Sequence, residues 1–390
     1  MLTPSLLARL QTAEGERALE SAATALEADS DFLRASQRLT PAFGDRLARA
    51  AVEQVQLRRH AIGKFPQAER LFFTREGLEQ ATAEPVARLR AARFGDRQRV
   101  FDFGCGLGGD ALQLAVASQV VAIDRDPLRL RIVAANAGRL GLADRIQPVE
   151  ADLHRLPLGV QDIVAFCDPG RRSGGRRLRR VDDYEPPLRT ILGWLPHLAG
   201  LAVKVSPAVR LDEVVRLDCE IEFVSLGGEL KEGVLWFGVL RRGQRRATVL
   251  PVGATLEGGD EPNVEVGPIA DYLLEPDPAI LRAGLVMTLA AALGAHPIQE
   301  DVSFLSLGSP RATPFGRTYR VLEASPFRLK SLQETLRQRG IGRVTVKRRG
   351  SAVEPEAIAR RLRLRGERDG LVILTRHRGL QTMVLAERVP

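Results

Sequence analysis

Apolar residues recur at helical spacing through the first 95 positions. Leu6, Leu7 and Leu10, then Ala18 and Leu19, then Phe32 and Leu33 fall near a 3.6-residue period, with polar residues on the other face. Thr40-Pro41 and Gly44 punctuate the run, and the pattern resumes from Leu47 to Leu57. It stops at Lys64-Phe65-Pro66, because a proline disfavours helix in the residue before it. After Leu71-Phe72-Phe73, Thr82 is placed to cap a helix through Glu84, Val86, Leu89 and Ala92, and Glu84 suits the positive end of the helix dipole. Gly95-Asp96 closes that helix.

From Arg99 the grain changes to short apolar runs alternating with helical patterns, the signature of a mostly parallel sheet. Strands are expected at Val100–Phe103, Val120–Ile123, Ile146–Val149, Ile163–Cys167 and Leu201–Val205, with helices at Asp110–Ala117, Pro127–Leu140 and Pro187–Leu195. Ile221–Ser225 and Gly233–Leu240 are joined by Gly227-Gly228-Glu229-Leu230-Lys231-Glu232, too short for a helical crossover and suited to an antiparallel pair. Gly253, Gly258-Gly259 and Pro262 break the pattern and place a boundary near 243–268. Beyond it a helix Pro278–Leu293 and strands Phe304–Ser306 and Thr318–Val321 suggest a small α+β module. Leu329–Arg339, Gly342–Arg349, Glu354–Leu364, Leu371–Thr375 and Thr382–Leu385 then read as helix, strand, helix, strand, strand.

Bulk composition narrows the classes. With 390 residues and ordinary apolar content, the chain has room for two to four modules. No apolar run is long enough to cross a bilayer, and Met1-Leu2-Thr3-Pro4-Ser5 does not read as a signal peptide, so a cytoplasmic protein without membrane association is expected. Cys105, Cys167 and Cys219 are odd in number and widely spaced, which argues against a disulfide framework or a zinc site; no metal is expected. The formal charge of +9 favours polyanionic partners, although arginine-rich composition by itself raises the total.

The chemistry centres on Val100-Phe101-Asp102-Phe103-Gly104-Cys105-Gly106-Leu107-Gly108-Gly109-Asp110, a strand that breaks into a glycine-dense turn before a helix. Such a turn lets the backbone approach a ligand, and Gly104, Gly106 and Gly109 fit the dinucleotide fingerprint. Asp124, about twenty residues downstream, suits ribose hydroxyls in either a nicotinamide or an S-adenosylmethionine enzyme; as an alternative it caps the helix at Pro127. Asp102 before the loop suits a cationic amino-acid moiety. Asp152 after the third strand suits an adenine amino group, or else is a surface loop acid.

Val100–Gly109, Val121–Pro127, Asn136 and Gly141–Ile146 resemble class I S-adenosylmethionine-dependent methyltransferases, in particular the branch related to trimethylguanosine synthase, whose members modify guanine N2 of RNA caps. Phe73–Ala81, Asp168-Pro169-Gly170-Arg171-Arg172, Gly227–Glu232 and Glu275-Pro276-Asp277-Pro278 extend the resemblance, from about residue 40 to the end, to bacterial methyltransferases with a ferredoxin-like module and a C-terminal THUMP-like domain. The resemblance implies an α/β fold: a Rossmann-like class I methyltransferase sheet of seven strands, the last antiparallel, with a helical N-terminal region and C-terminal α+β modules. The implied divisions are 1–95 helical, 96–243 methyltransferase, 244–325 linker and ferredoxin-like module, and 326–390 THUMP-like. It implies that Asp102, Gly104, Gly106 and Gly108 cradle the methionine end of S-adenosylmethionine, that Asp124 takes the ribose hydroxyls and Asp152 the adenine amine, and that Asp168 and Pro169 border the methyl acceptor as catalytic residues.

The chain departs from one pattern. Enzymes that methylate exocyclic amines carry Asp/Asn/Ser-Pro-Pro and an aromatic residue at this strand end, whereas here Gly170 and Arg171 follow Asp168-Pro169. A ring nitrogen or another acceptor therefore stays open. Tyr184 would supply a stacking ring from the next loop, or else packs that loop. Arg171, Arg172 and the arginines at 176, 177, 179 and 180 crowd after the acceptor strand, where guanidinium groups hold phosphates bidentately. Lys347, Arg348 and Arg349, with Arg360, Arg361, Arg363 and Arg365, make a second basic cluster, part of it mere surface. The expected function is methyl transfer from S-adenosylmethionine to structured RNA, tRNA or rRNA. The alternatives are a non-catalytic RNA-binding protein that keeps the fold and a NAD-dependent oxidoreductase on the same loop.

Overall fold

The computed structural model describes residues 2–95, 97–156, 159, 163–170, 172–173, 176–177, 180–351, 354, 358 and 360–389, with the backbone alone at 172–173 and 176–177. The chain divides into two compact units, one of residues 1–219 and 233–242, the other of 220–232 and 243–390.

In the first unit, helices α1 (Pro4–Leu10), α2 (Ala13–Ala28), α3 (Phe32–Phe43) and α4 (Asp45–Ala61) form the N-terminal layer. Thr3, Thr12 and Asp31 cap the first three by accepting from backbone N–H groups. Pro41 does not end α3: it lies in the last turn, where it forfeits one ladder bond, and Gly44 with φ 77° makes the break. Two short helices follow, α5 (Arg75–Gln80) and α6 (Glu84–Phe94). Next come β1 (Arg99–Phe103), α7 (Gly109–Leu114), β2 (Gln119–Asp124), α8 (Pro127–Arg139), β3 (Ile146–Glu150), β4 (Val164–Cys167), α9 (Leu188–Leu192), β5 (Gly200–Val205) and α10 (Leu211–Val214). The chain continues into β6 (Glu220–Leu226), of the second unit, and β7 (Glu229–Gly238), which re-enters the first at Gly233.

The first unit's strands lie in the order β3-β2-β1-β4-β5-β7. All neighbours are parallel except β5 and β7, which run antiparallel with Lys204 opposite Val234. The expected alternation and the antiparallel strand are thus present. The remaining strand of the expected seven, β6, belongs to the second unit.

The helical layer is fastened to the sheet layer by side chains that grip backbone. Leu107, Ile132 and Ala135 share a core with the N-terminal helices. Across that core Asn136 of α8 accepts from Phe72 N at 2.7 Å and donates to Phe72 O at 3.1 Å. Gln54 of α4 does the same to Phe73, at 3.0 and 2.8 Å. Both amides are buried, so each double bond satisfies groups that have no water available.

In the second unit β6 pairs in parallel with β8 (Arg245–Leu250), and β8 antiparallel with β9 (Ala254–Gly258). These two strands occupy the stretch expected to be a boundary. Their inward charges hid the pattern: Arg246 is buried and pairs with Glu220 and Glu257, both at 2.6 Å, while Thr248 donates to Glu222 at 2.6 Å. Next are β10 (Tyr272–Pro276), α11 (Pro278–Ala283), α12 (Val286–Leu293), β11 (His296–Gln299), β12 (Val302–Leu307), β13 (Gly316–Pro326), α13 (Leu329–Gln338), β14 (Ile341–Arg348), β15 (Arg368–His377) and β16 (Leu380–Arg388). The single helix expected over Pro278–Leu293 is two, because Gly284 takes φ 68° and ends the first. The helix expected at Glu354–Leu364 lies partly outside the described residues.

These strands form one sheet, β11-β12-β10-β13-β16-β15-β14, antiparallel except for β14 and β15. Alternate residues of β15 and β16 feed two cores: Ile373 and Val384 pack with Phe304, while Val372, Leu374 and Leu385 pack with Leu332 and Leu336 of α13. β13 runs through position 325, so the boundary expected between 325 and 326 cuts a strand rather than a linker.

Replacing Asn136 by alanine leaves a buried N–H and a buried carbonyl unpaired. We expect a loss of about 2–4 kcal/mol of stability, measured by urea unfolding.

Candidate active site

Open parallel sheets bind ligands beyond the carboxyl ends of their strands. Here the ends of β1, β2, β3 and β4 and the α5–α6 segment line one cleft of ≈340 Å3. Sequence places an aspartate at each strand: Asp102 within β1, Asp124 closing β2, Asp152 after β3 and Asp168 after β4. All four line the cleft.

The glycine loop turns under it. Gly104, Gly106 and Gly108 adopt φ of 80°, 56° and 83°, conformations open to glycine at little cost. A Cβ on Gly104 would also stand 3.1 Å from the Asp168 carbonyl oxygen, so the loop and the end of β4 lie back to back. Gly109, the last glycine of the fingerprint, is the first residue of α7. Helix α5 sits on the loop: a Cβ on Gly77 would meet the Leu107 side chain at 2.4 Å.

The aspartates differ in what holds them. Asp124 accepts from the N–H groups of Gly106 and Asp126, each at 3.0 Å, and Asp126 rather than Asp124 caps α8. Asp152 accepts from His154 N at 3.0 Å. Asp168 accepts from the Lys204 ammonium at 2.7 Å. Asp102 is 1% exposed and neither carboxyl oxygen has a hydrogen-bond partner among the described residues. Burial, reinforced by the neighbouring Asp168 carboxylate, pushes its pKa up to about 7.

Sequence reasoning missed the groups that hold these acids. Lys204 of β5 is buried and also donates to Thr82 Oγ1 at 2.8 Å. Thr82 does not cap α6, whose N-cap position is Ala83; its hydroxyl donates instead to Asp110 at 3.0 Å. Asp110 is ion-paired with Arg90, whose guanidinium lies 4.3 Å from the Phe166 ring centroid. At the cleft mouth His154 and Glu185 pair at 2.7 Å, and Glu185 exchanges two backbone bonds with Gly170. No spacing rule reveals such contacts, because each joins residues of different elements.

Family models match three segments: a domain of unknown function over residues 4–61, an RNA cap guanine-N2 methyltransferase over 97–185, and a THUMP domain-like module over 316–388. Uncharacterized S-adenosylmethionine-dependent methyltransferases of two Mycobacterium tuberculosis strains are 37% identical over 349 residues, covering 86% of this chain and 94% of theirs. The chain belongs to the S-adenosylmethionine-dependent methyltransferases. A crystal structure from Porphyromonas gingivalis W83 shares the fold, with a TM-score of 0.76 and 20% identity over 96% of this chain and 98% of that one. A probable cobalt-precorrin-6B C(15)-methyltransferase of Pyrobaculum aerophilum is 35% identical over 26% of this chain and 55% of its own length. The donor is therefore S-adenosylmethionine, and the nicotinamide alternative falls. No helix among the described residues is long and apolar enough to cross a membrane.

The methyltransferase departs from expectation at several residues expected to hold the substrate. Tyr184 is 1% exposed and its phenol oxygen accepts from Ser206 N at 3.1 Å, so the ring packs the interior and has no open face for stacking. Arg171 lies outside the described residues, and Arg172 is described as backbone paired with Arg177. In the second unit Lys347 and Arg349 turn onto Glu275, which also accepts from Tyr319, and Arg348 pairs with Glu354. That triplet is largely spent on internal ion pairs. Arg360, Arg361, Arg363 and Arg365 are exposed and have no acidic partner among the described residues.

Asp102 makes the fold pH-dependent. Unfolded, its carboxyl ionises near 3.8; folded, it keeps its proton to about pH 7, so the stability it lends at low pH is lost as pH rises through that range. Asp102→Asn should raise stability at pH 8 by on the order of 2–4 kcal/mol and change little at pH 4, read from urea unfolding at the two values.

Proposed function

We propose that this methyltransferase modifies a nucleotide of a structured RNA, a tRNA or an rRNA. The observation that carries the reading is one chain in which a segment matching an RNA cap guanine-N2 methyltransferase is joined to one matching a THUMP-like module. The four arginines at 360, 361, 363 and 365, exposed and without an acidic partner among the described residues, support it, since exposed guanidinium groups bind phosphates.

The cleft fits S-adenosylmethionine. A buried carboxyl whose oxygens have no partner among the described residues suits a cationic group, so Asp102, with the open backbone of Gly104, Gly106 and Gly108, would hold the ammonium end. Each Asp124 oxygen holds one N–H and keeps a lone pair for a ribose hydroxyl. Asp152, with one oxygen on His154 N, would accept from the adenine amine. When bound, S-adenosylmethionine supplies a methyl group on an electrophilic sulfonium. The protein's contribution is to exclude water and to hold the acceptor in line beside Asp168 and Pro169.

Mass spectrometry of nucleosides in total RNA from strains with and without the gene should show one methylated nucleoside missing in the latter; identical profiles would overturn the RNA reading. In the purified protein, replacing Arg360, Arg361, Arg363 and Arg365 by serine should weaken RNA binding. It should also flatten the dependence of log affinity on log salt by about 0.7–0.9 for each lost phosphate contact. Lys347→Met should leave that slope nearly unchanged.

A further inference from the structure

Strand β5 is buried along its whole length, and five of its six residues are glycine or apolar. The sixth is Lys204, with a side chain 5% exposed. An ammonium buried this deeply costs several kcal/mol unless it is well paired. Its partners are Asp168 Oδ2 at 2.7 Å and Thr82 Oγ1 at 2.8 Å. An ammonium only donates, so Thr82 must accept from Lys204 and donate its own O–H to Asp110 Oδ2, 3.0 Å away. Asp110 is anchored in turn by Arg90. The result is a relay in which every donor is fixed, Asp110 accepting from both sides and Lys204 donating both ways, that links α6, α7, the α5–α6 segment, β5 and the end of β4, with two cations and two carboxylates in balance. Every member but Asp168 is buried. Asp168 keeps a quarter of its side chain exposed and lines the cleft, and Oδ1 has no partner among the described residues.

We propose that Lys204 is a positioning residue for methyl transfer: by holding Oδ2 of Asp168 it fixes Oδ1 as a hydrogen-bond acceptor in the cleft, and so selects a methyl acceptor that presents an N–H or O–H. The inference rests on the placement of the acceptor beside Asp168 proposed above. In the reaction the acceptor's lone pair forms the new bond to the methyl carbon, the carbon–sulfur bond breaks with its electron pair left on sulfur, and the acceptor's proton passes to Asp168 Oδ1. A ring nitrogen without hydrogen would find no use for that oxygen. The device also accounts for the missing second proline and aromatic residue, because the acceptor is oriented by a carboxylate held from behind.

The test uses full-length protein, tritium-labelled S-adenosylmethionine and an extract of a strain lacking the gene, fractionated into RNA, protein and small molecules. Lys204→Met should lower methyl incorporation by about 10- to 100-fold, while calorimetric affinity for S-adenosylhomocysteine stays within about threefold. Lys204→Arg should restore part of the rate. Combined with Asp168→Asn, Lys204→Met should cost nothing further, because both act through one oxygen. Losses that multiply in the double variant, or an unchanged rate in Lys204→Met, would overturn the proposal. So would a label found on an atom that carried no hydrogen. Should Lys204→Met fail to fold, Thr82→Val, which removes one of the ammonium's two bonds, should give a smaller loss that likewise vanishes in the Asp168→Asn background; a loss that persists there overturns it. Label in the protein or small-molecule fraction would refute the RNA reading and leave the Lys204 comparison to be read on that fraction. No label in any fraction would overturn both.

Discussion

Carboxylates crowded at the ends of parallel strands repel one another, and the first unit is arranged around that repulsion. Asp110 and Asp168 are neutralised by Arg90 and Lys204, which reach them from α6 and β5. Asp124 is met by backbone N–H groups. Asp102 alone has no hydrogen-bond partner among the described residues, and burial holds its pKa well above the usual carboxylate range. A site that leaves one buried acid without a hydrogen bond is less stable than it need be. Such a loss of stability is common where function demands a poised group.

The helical layer contributes more than cover. Thr82, Arg90 and Gly77 all precede the sheet in sequence, yet two belong to the relay behind Asp168 and the third lets α5 lie on Leu107 of the glycine loop. Gln54 and Asn136 hold the intervening segment by its backbone, independent of what its side chains are. The residues that line and support the cleft therefore begin well upstream of β1.

Much of this was legible in the chain. The βα alternation, the antiparallel β7 and the aspartates within or just after the strands follow from periodicity and from where acids fall in and after apolar runs. What escaped were features whose signal is tertiary. Lys204 reads as an anomaly within an apolar strand, and only the fold shows that Asp168 and Thr82 face it. β8 carries Arg246 in its first turn of pattern, and pairing with Glu220 is what makes that charge tolerable inside. Lys347 to Arg349 look like a basic patch in one dimension; Glu275, more than seventy residues earlier, converts most of it to an internal cluster. Gly284 is the one miss with a local signal, since a glycine inside an apolar helix is a candidate terminus.

Strand β13 has a consequence for how the C-terminal half can be taken apart. It pairs on one side with β16 and on the other with β10. The THUMP-like match begins at residue 316, the first of β13, so it includes β16 but not β10. A fragment cut to that match would expose the unpaired edge of an eleven-residue strand, a template for self-association. The recognisable module and the physical module are different lengths of chain, and the physical one starts no later than Tyr272.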